Sequence, residues 1–483
     1  MRIGPRPEGN SVFAVFSASV VRRRGAARRL TAAALLSGLI ATGSMAAAGS
    51  AAADNDVQHQ GGAVATLDGL KTFDRAVLRT NGKKHEIAAG VFEMTVDGGG
   101  RLKTYCIDIH NPTQDQAKYL ETPWNQTSLG TNKDAGKIRW ILQHSYPQVD
   151  DLAALAKSAG TGPLSESTAA AGTQVAIWRY SDDADVDALD PAAEKLADWL
   201  QGKAQNVAEP KASLSLEPNA VSGKAGGRLG PVTVRTDAGQ VAVAPPADAA
   251  ASGIKITDGA GKPLTSVVNG AQLYFDVPAG AVDGSASLTA QATTSVPVGR
   301  AFAGATKSQT QILAGSSEST VSADATATWA KAGAIPALSA KKNCAKGGVD
   351  ITAANKGDAP FSFELMGFKH TIPAGASRTV TIPVAEDQAY DFTITGPEGF
   401  KKNFKGVLDC KTTGAAGPGT DTPSSQPSPA SAGGTSSGLE GDLAETGSSS
   451  ATPMIAGIAI ALVVIGGGAV FFLRKKKETP TEE

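Results

Sequence analysis

Two runs of apolar and alternating residues, IAAGVFEMTV and RLKTYCIDI, fall between residues 87 and 109, with the Gly-rich DGGG at 97–100 between them. Two β-type runs around such a turn predict a hairpin. On its second strand a period of two sets Leu102, Thr104, Cys106 and Asp108 on one face and Tyr105 and Ile107 on the other. The period then changes. Within 133–145, Ile138, Ile141, Leu142 and Ser145 recur at helical spacing. A second helix is predicted over 166–180, with Ser165 as its N-cap. Asp190-Pro191 starts a third, running through Leu200, with aspartate capping and proline at the first position. Strands followed by helices predict an α+β domain over about 65–208.

The second helix contains a misfit. In AAAGTQVAIWRY (169–180), Gln174 shares or borders one apolar stripe with Ala170, Ile177 and Trp178. A buried amide costs about 1–3 kcal/mol unless it finds partners.

Beyond residue 209 the pattern is strand-like throughout. PVTVRT, AQLYFDVP and ASLTAQATTSVPV alternate with Gly/Pro/Asp turns and predict one all-β module over 209–340. VDITAAN, FSFELMGF, RTVTIPV and YDFTITG predict a smaller β-sandwich over 341–411. Glu364, on FSFELMGF, is a candidate for an isopeptide weld, but no partner for it is identifiable. Residues 412–442, rich in Pro, Gly, Ser and Thr, cannot bury a core and read as a disordered linker. The fold expected is thus an α+β domain (54–208), two all-β Ig-like sandwich modules, a linker and the terminal segment 443–483. The formal net charge of −1 argues against a nucleic-acid partner bound by phosphate neutralisation.

Both ends carry targeting patterns. A basic stretch (Arg22–Arg24, Arg28, Arg29), a short apolar run from Leu30 to Ala41 and Ala51–Ala53 read as a cleaved signal peptide over 1–53. Arg28-Arg29-Leu30 leaves twin-arginine export open beside ordinary secretion. Near the other end LAETG (443–447) precedes an apolar run of 21 residues, 453–473, and then Arg474 to Lys477. That run is long enough to cross a hydrocarbon core as a transmembrane helix, and the basic residues hold its end in the cytoplasm. Together the three elements resemble a Gram-positive cell-wall sorting signal of the LAxTG form. The resemblance implies cleavage by a sortase between Thr446 and Gly447, with Leu443 as part of the recognised motif, transient membrane insertion, and attachment of Thr446 to peptidoglycan.

Three cysteines in a secreted chain leave one unpaired. Cys344 and Cys410 bracket the last β module and are the expected disulfide. Closing that 66-residue loop restricts the unfolded chain by about 4 kcal/mol. Cys106 remains, and a solitary thiol in an oxidising compartment invites oxidation. It is open to three readings: a buried core thiol, a catalytic nucleophile with His110 or His144 as base, or a thiol consumed by a group other than cysteine.

Tyr105-Cys106-Ile107-Asp108, followed by Thr173-Gln174-Val175-Ala176-Ile177-Trp178, resembles the paired signature of Gram-positive TQXA-type thioester domains. The resemblance implies that the Cys106 sulfur attacks the Gln174 carboxamide, ammonia leaves, and an internal thioester forms. Tyr105, Asp108, Thr173, Ala176 and Trp178 would then support it, Asp108 as proton handler and Trp178 as a shield from water. By the same resemblance the protein is a cell-wall adhesin. Its thioester captures an amine, in the first instance a lysine of a surface protein or other amine-bearing ligand, as an isopeptide. Two alternatives stand beside this: a wall protein whose thioester only staples the fold, and a secreted cysteine hydrolase or acyltransferase. No cofactor is expected, and no Cys/His cluster has metal-ligand spacing.

Overall fold

The computed structural model describes residues 59–396 and 399–412. The signal peptide, the linker from 413 onwards, the LAETG motif with Leu443, Thr446 and Gly447, and the apolar run 453–473 lie outside the described residues. Among the described residues no helix is long and apolar enough to cross a membrane.

The N-terminal domain begins with β1 (Val64–Thr80), β2 (Lys83–Val96), β3 (Arg101–Cys106) and β4 (Lys118–Thr122). The helices α1 (Ala135–Gln143), α2 (Leu152–Ala159) and α3 (Glu166–Ser181) follow, then β5 (Val186–Ala188) and α4 (Pro191–Lys203). The expected hairpin is β2–β3, paired from Phe92↔Thr104 to Thr95↔Arg101. Ser165 caps α3 through a capping box with Thr168, and Asp190 accepts from Ala192 N and Ala193 N at the start of α4.

The expectation of one apolar stripe on α3 is corrected. Every residue from Ala169 to Trp178 is buried, because α3 packs on β1 and β2 as well as on α1 and α4. A helix enclosed on all sides shows little amphipathic pattern. Its run of small residues permits the close approach. A Cβ on Gly172 would stand 2.4 Å from the carbonyl oxygen of Ala193 on α4, so only glycine fits there.

After α4 the chain leaves this domain and builds most of a two-sheet module. One sheet has the order β10 (Lys255–Thr257), β12 (Gln272–Asp276), β8 (Arg228–Thr236) and β6 (Leu214–Glu217). The other has the order β11 (Ser266–Val267), β9 (Val241–Ala244), β13 (Gly284–Ser295), β16 (Glu318–Ala330) and β7 (Ala220–Lys224).

Between β13 and β16 the chain returns to the first domain as β14 (Ala301–Gly304) and β15 (Gln311–Ser316). There β15 pairs with β3 and β14 with β4. Because β1 pairs with both β2 and β4, the ladders close as a ring β1–β2–β3–β15–β14–β4. A boundary at 208/209 therefore does not separate two folds, and 209–340 is not one self-contained module. The reason is hydrogen bonding. The edge of β3 facing away from β2 is buried and needs a partner for its N–H and C=O groups, and Gln311–Ala314, buried on both faces, supplies it.

A buried ion pair fastens both crossings between the domains. Glu121 Oε1 accepts from Arg300 Nε at 2.8 Å, and the two side chains are 0% and 4% exposed. Glu121 also accepts from Ala63 N and Ser213 N, and Arg300 Nη1 reaches Glu209.

The last module starts at β17 (Pro336–Asn343) rather than at 341. It contains the sheet β17, β18 (Gly348–Asn355) and β21 (Ser377–Pro383). Two hairpins complete it: β19 (Phe361–Leu365) with β20 (Phe368–Ile372), and β22 (Ala389–Thr395) with β23 (Lys401–Val407). Its core gathers Val349, Ile351, Phe361, Ile394 and Phe404. The Cys344–Cys410 disulfide closes it. Glu364 is exposed opposite Lys369 on the neighbouring strand.

Candidate functional site

Cys106 is the last residue of β3, and its surroundings follow from where two ladders stop. The β2–β3 ladder ends at Phe92↔Thr104. On the other edge Ile107 N donates to Thr310 O at 3.0 Å. Since bonding direction alternates along a strand, the N–H and C=O of Cys106 point to the edge that β2 has vacated. The Gln174 amide fills that gap. Cys106 N donates to Gln174 Oε1 at 2.9 Å, and Gln174 Nε2 donates to Cys106 O at 2.8 Å. Cys106 and Gln174 are both fully buried.

The sequence puzzle of the buried amide is thereby resolved in two ways at once. Gln174 is satisfied by hydrogen bonds, and those bonds hold its carbonyl against the one free cysteine among the described residues. A backbone N–H on the carbonyl oxygen polarises the carbon for attack, as an oxyanion-hole donor does. The carbonyl on Nε2 orients the amide nitrogen that must leave as ammonia.

Asp108 does not share a strand face with Cys106, as alternation predicts, because β3 ends at Cys106 and the chain bends at Ile107. The bend turns Asp108 N back to donate to Cys106 Sγ at 3.2 Å. The Asp108 carboxylate is buried, with Oδ2 accepting from Asn111 Nδ2 at 2.7 Å and Oδ1 without a partner. Burial holds its pKa well above the usual carboxylate range, and Asp409 and Asp182 add to the shift. The Cys106 thiol is likewise pushed well up, first by burial and then by Asp182 and Asp108. The indole of Trp178, one turn after Gln174, works in the opposite direction on the sulfur. Its buried Nε1–H makes no regular hydrogen bond.

The other signature residues, Tyr105, Thr173 and Ala176, are fully buried. Tyr105 is buried and donates to Tyr146 O at 2.7 Å. Thr173 Oγ1 donates to Ala169 O and meets Ser145 Oγ at 2.6 Å. Ala176 is buried in the helix core. Neither candidate histidine bonds the pair. His144 is exposed, stacked on Trp140 with its Nδ1 at Trp140 O, and His110 has no hydrogen bond to Cys106 or Gln174 among the described residues.

Three participants were missed from sequence. Asp182 caps the C-terminus of α3, accepting from Ile109 N at 3.0 Å and from Ser181 Oγ at 2.5 Å. A carboxylate at a helix C-terminus opposes the macrodipole, and that local conflict was the available signal. Gln311 lies directly opposite Cys106 and accepts from Thr104 Oγ1 at 3.2 Å. Asp409 reaches the site from the last module. Nothing local marks either of these.

Asp182 gives a pH prediction. Burial raises its pKa to about 7, against the opposing pull of Ser181 and Ile109. A carboxyl whose folded pKa exceeds its unfolded value of roughly 3.9 stabilises the fold fully below that value and loses the contribution as pH rises through 7, at most about 4 kcal/mol. His59, held low by burial, acts only below its ordinary value of roughly 6.5. Between pH 6.5 and 8 only the tail of that loss remains, about 1 kcal/mol, and the raised Asp108 carboxyl adds a fall of the same sign. Urea midpoints are therefore expected to fall there, and Asp182→Asn to reduce the slope without removing it. An equal slope in the variant would assign it elsewhere.

For cations, the available group among the described residues is Glu386, Asp387 and Asp409, with oxygens within 4.8 Å of one another.

Residues 103–206 match the thioester domain family. Residues 332–407 match the family described as bacterial phospholipase C, C-terminal domain. The chain therefore carries a thioester domain. Among solved structures it is similar to the Bacillus anthracis TIE protein, at 16% identity and a TM-score of 0.26 over 72% of this chain. That match spans 64% of the Bacillus protein's length. It is also similar to the thioester domain of the Enterococcus faecium TIE86 protein, at 17% identity and a TM-score of 0.26, over 57% of this chain and 99% of that one. No curated protein matches the chain.

Proposed function

We propose that the chain is a cell-wall-anchored surface adhesin in which Cys106 and Gln174 condense to an internal thioester that captures an amine, with a lysine side chain as nucleophile. The observation that carries this reading is the double hydrogen bond between the Gln174 amide and the Cys106 backbone. It fixes acyl group and thiol in one orientation, and such placement supplies effective molarities on the order of 10⁵–10⁸ M. Formation is balanced simply. The sulfur bonds the Gln174 carbonyl carbon, the C–N bond breaks, and the nitrogen leaves as ammonia with the thiol proton.

Capture reverses the roles. An amine nitrogen bonds the same carbon, the C–S bond breaks, and Cys106 recovers a thiol. The product is an isopeptide, and each molecule reacts once, as a reagent rather than a turnover enzyme. The signal peptide and the LAETG segment support secretion and sortase-mediated attachment through Thr446 to peptidoglycan.

A second reading, a thioester that only staples the fold, is favoured by the full burial of both residues. Methylamine separates the two. Capture predicts an adduct confined to Gln174 in the intact-mass and peptide-level spectra, together with a free Cys106 thiol. Thioester-bearing protein that stays inert to methylamine would favour the staple.

A further inference from the structure

The C-terminal module touches the thioester site, and Thr310 is the hinge point of that contact. Its carbonyl oxygen accepts from Ile107 N, next to Cys106, at 3.0 Å. Its Oγ1 donates to Asp409 Oδ2 at 2.8 Å. Farther along, Thr412 Oγ1 reaches Ser181 O at the end of α3, at 3.5 Å. Asp409 is held firmly, because the adjacent Cys410 is bridged to Cys344. Glu386 Oε1 accepts from Cys410 N and Lys411 N, tying the 386–387 segment to the same edge.

Carboxylates gather on this edge, with Lys307 paired to Asp387 at the rim and the ammonium of Lys342 near enough to act on Asp409. Glu386, Asp387 and Asp409 converge to within 4.8 Å. Behind them Asp108 is 1% exposed, and its Oδ1 has no hydrogen-bond partner. Asp387 Oδ1 is also buried without a partner. Buried carboxylate oxygens without donors are costly, and both belong to groups that act on one another, since Asp409 and Asp387 are among the charges bearing on Asp108. Neither Lys307 nor Lys342 hydrogen-bonds Asp108 Oδ1 or Asp387 Oδ1, and the group that fits both is a further cation carrying several donors. An ammonium offers three, and one is already seated at the rim, where Lys307 Nζ lies 3.2 Å from Asp387 Oδ2.

We propose that the C-terminal module completes the thioester site: Asp409 and Asp387 at the rim, with Asp108 behind them, bind the ammonium group of the incoming lysine and select cationic amines over neutral nucleophiles. This rests on the thioester reading above. The ammonium displaces Lys307 from Asp387 and moves inward to Asp108. It gives one proton to a carboxylate, which passes it to solvent. The neutral nitrogen then bonds the Gln174 carbonyl carbon while the C–S bond breaks. The second proton returns to the Cys106 sulfur and the third hydrogen stays on the new amide nitrogen.

The test uses full-length protein carrying Asp409→Asn or Asp387→Asn, with methylamine (an ammonium at pH 7) and hydroxylamine (neutral at pH 7) as probes. Adduct formation is followed by intact mass. The ratio of methylamine to hydroxylamine rates is expected to fall roughly tenfold in each variant, the low end of what a charged cleft contributes to association. Added salt should lower the wild-type ratio and hardly move that of the variants. An unchanged ratio in both variants would overturn the proposal. The starting mass separates the two levels: wild-type protein that has lost no ammonia refutes the thioester, whereas a thioester with an unaltered ratio refutes only the ammonium site.

Discussion

Cys106→Ser and Gln174→Ala are each expected to abolish the loss of one ammonia from the intact mass and every methylamine adduct, yet to differ in stability. Serine keeps the backbone hydrogen bonds to the Gln174 amide and removes only the thiol. It forfeits the cross-link, which closes a 68-residue separation and, by analogy with a disulfide, restricts the unfolded chain by about 4 kcal/mol. Alanine at 174 forfeits the same restriction and also leaves the Cys106 N–H and C=O unpaired in a dry site, at roughly 1–3 kcal/mol for each group. Urea unfolding should therefore order the three proteins as wild type, C106S, Q174A. If Q174A were as stable as C106S, the amide would not be the strand surrogate described above.

Arg300→Met is the second large effect. It removes the cation from Glu121, whose side chain is fully buried, and truncating one partner of such a pair costs about 3–5 kcal/mol. The damage extends beyond one contact, because the pair fastens the exit of the chain at Glu209–Ser213 and its return before β14. Adding Glu121→Gln to that variant removes the orphaned charge while keeping an acceptor for Ala63 N or Ser213 N, and should recover part of the loss. A loss below about 1 kcal/mol for Arg300→Met alone would show that water reaches Glu121.

The carboxylate cluster of the last module and the ring of strands were illegible in the sequence for one shared reason. Gln311 sits opposite Cys106 from 205 positions away, and QILAGS carries no turn, cap or periodicity that says which ladder it joins. An apolar run buried on both faces reads alike in any sheet. Asp409, adjacent to Cys410, carries no local mark of its contact with Thr310. Asp108 was assigned to the strand face because alternation was extended two residues past the strand's end. Its backbone N–H, not its carboxylate, is the group that meets the sulfur.

By itself the sequence determined what local chemistry can encode. The β2–β3 hairpin, the caps at Ser165 and Asp190, the Cys344–Cys410 pairing by position, and the pairing of Cys106 with Gln174 through two short signatures were all readable. Each depends on neighbours a few residues apart or on side chains whose reactivity is intrinsic. The tertiary structure alone decided that β14 and β15 complete the N-terminal ring, that α3 is enclosed on every side, and that a carboxylate from the last module bonds Thr310, whose carbonyl meets the residue after Cys106. Those outcomes follow from pairing buried N–H and C=O groups and closing a core between segments hundreds of residues apart. Many distant segments could meet such requirements equally well by composition, and only the folded chain selects among them.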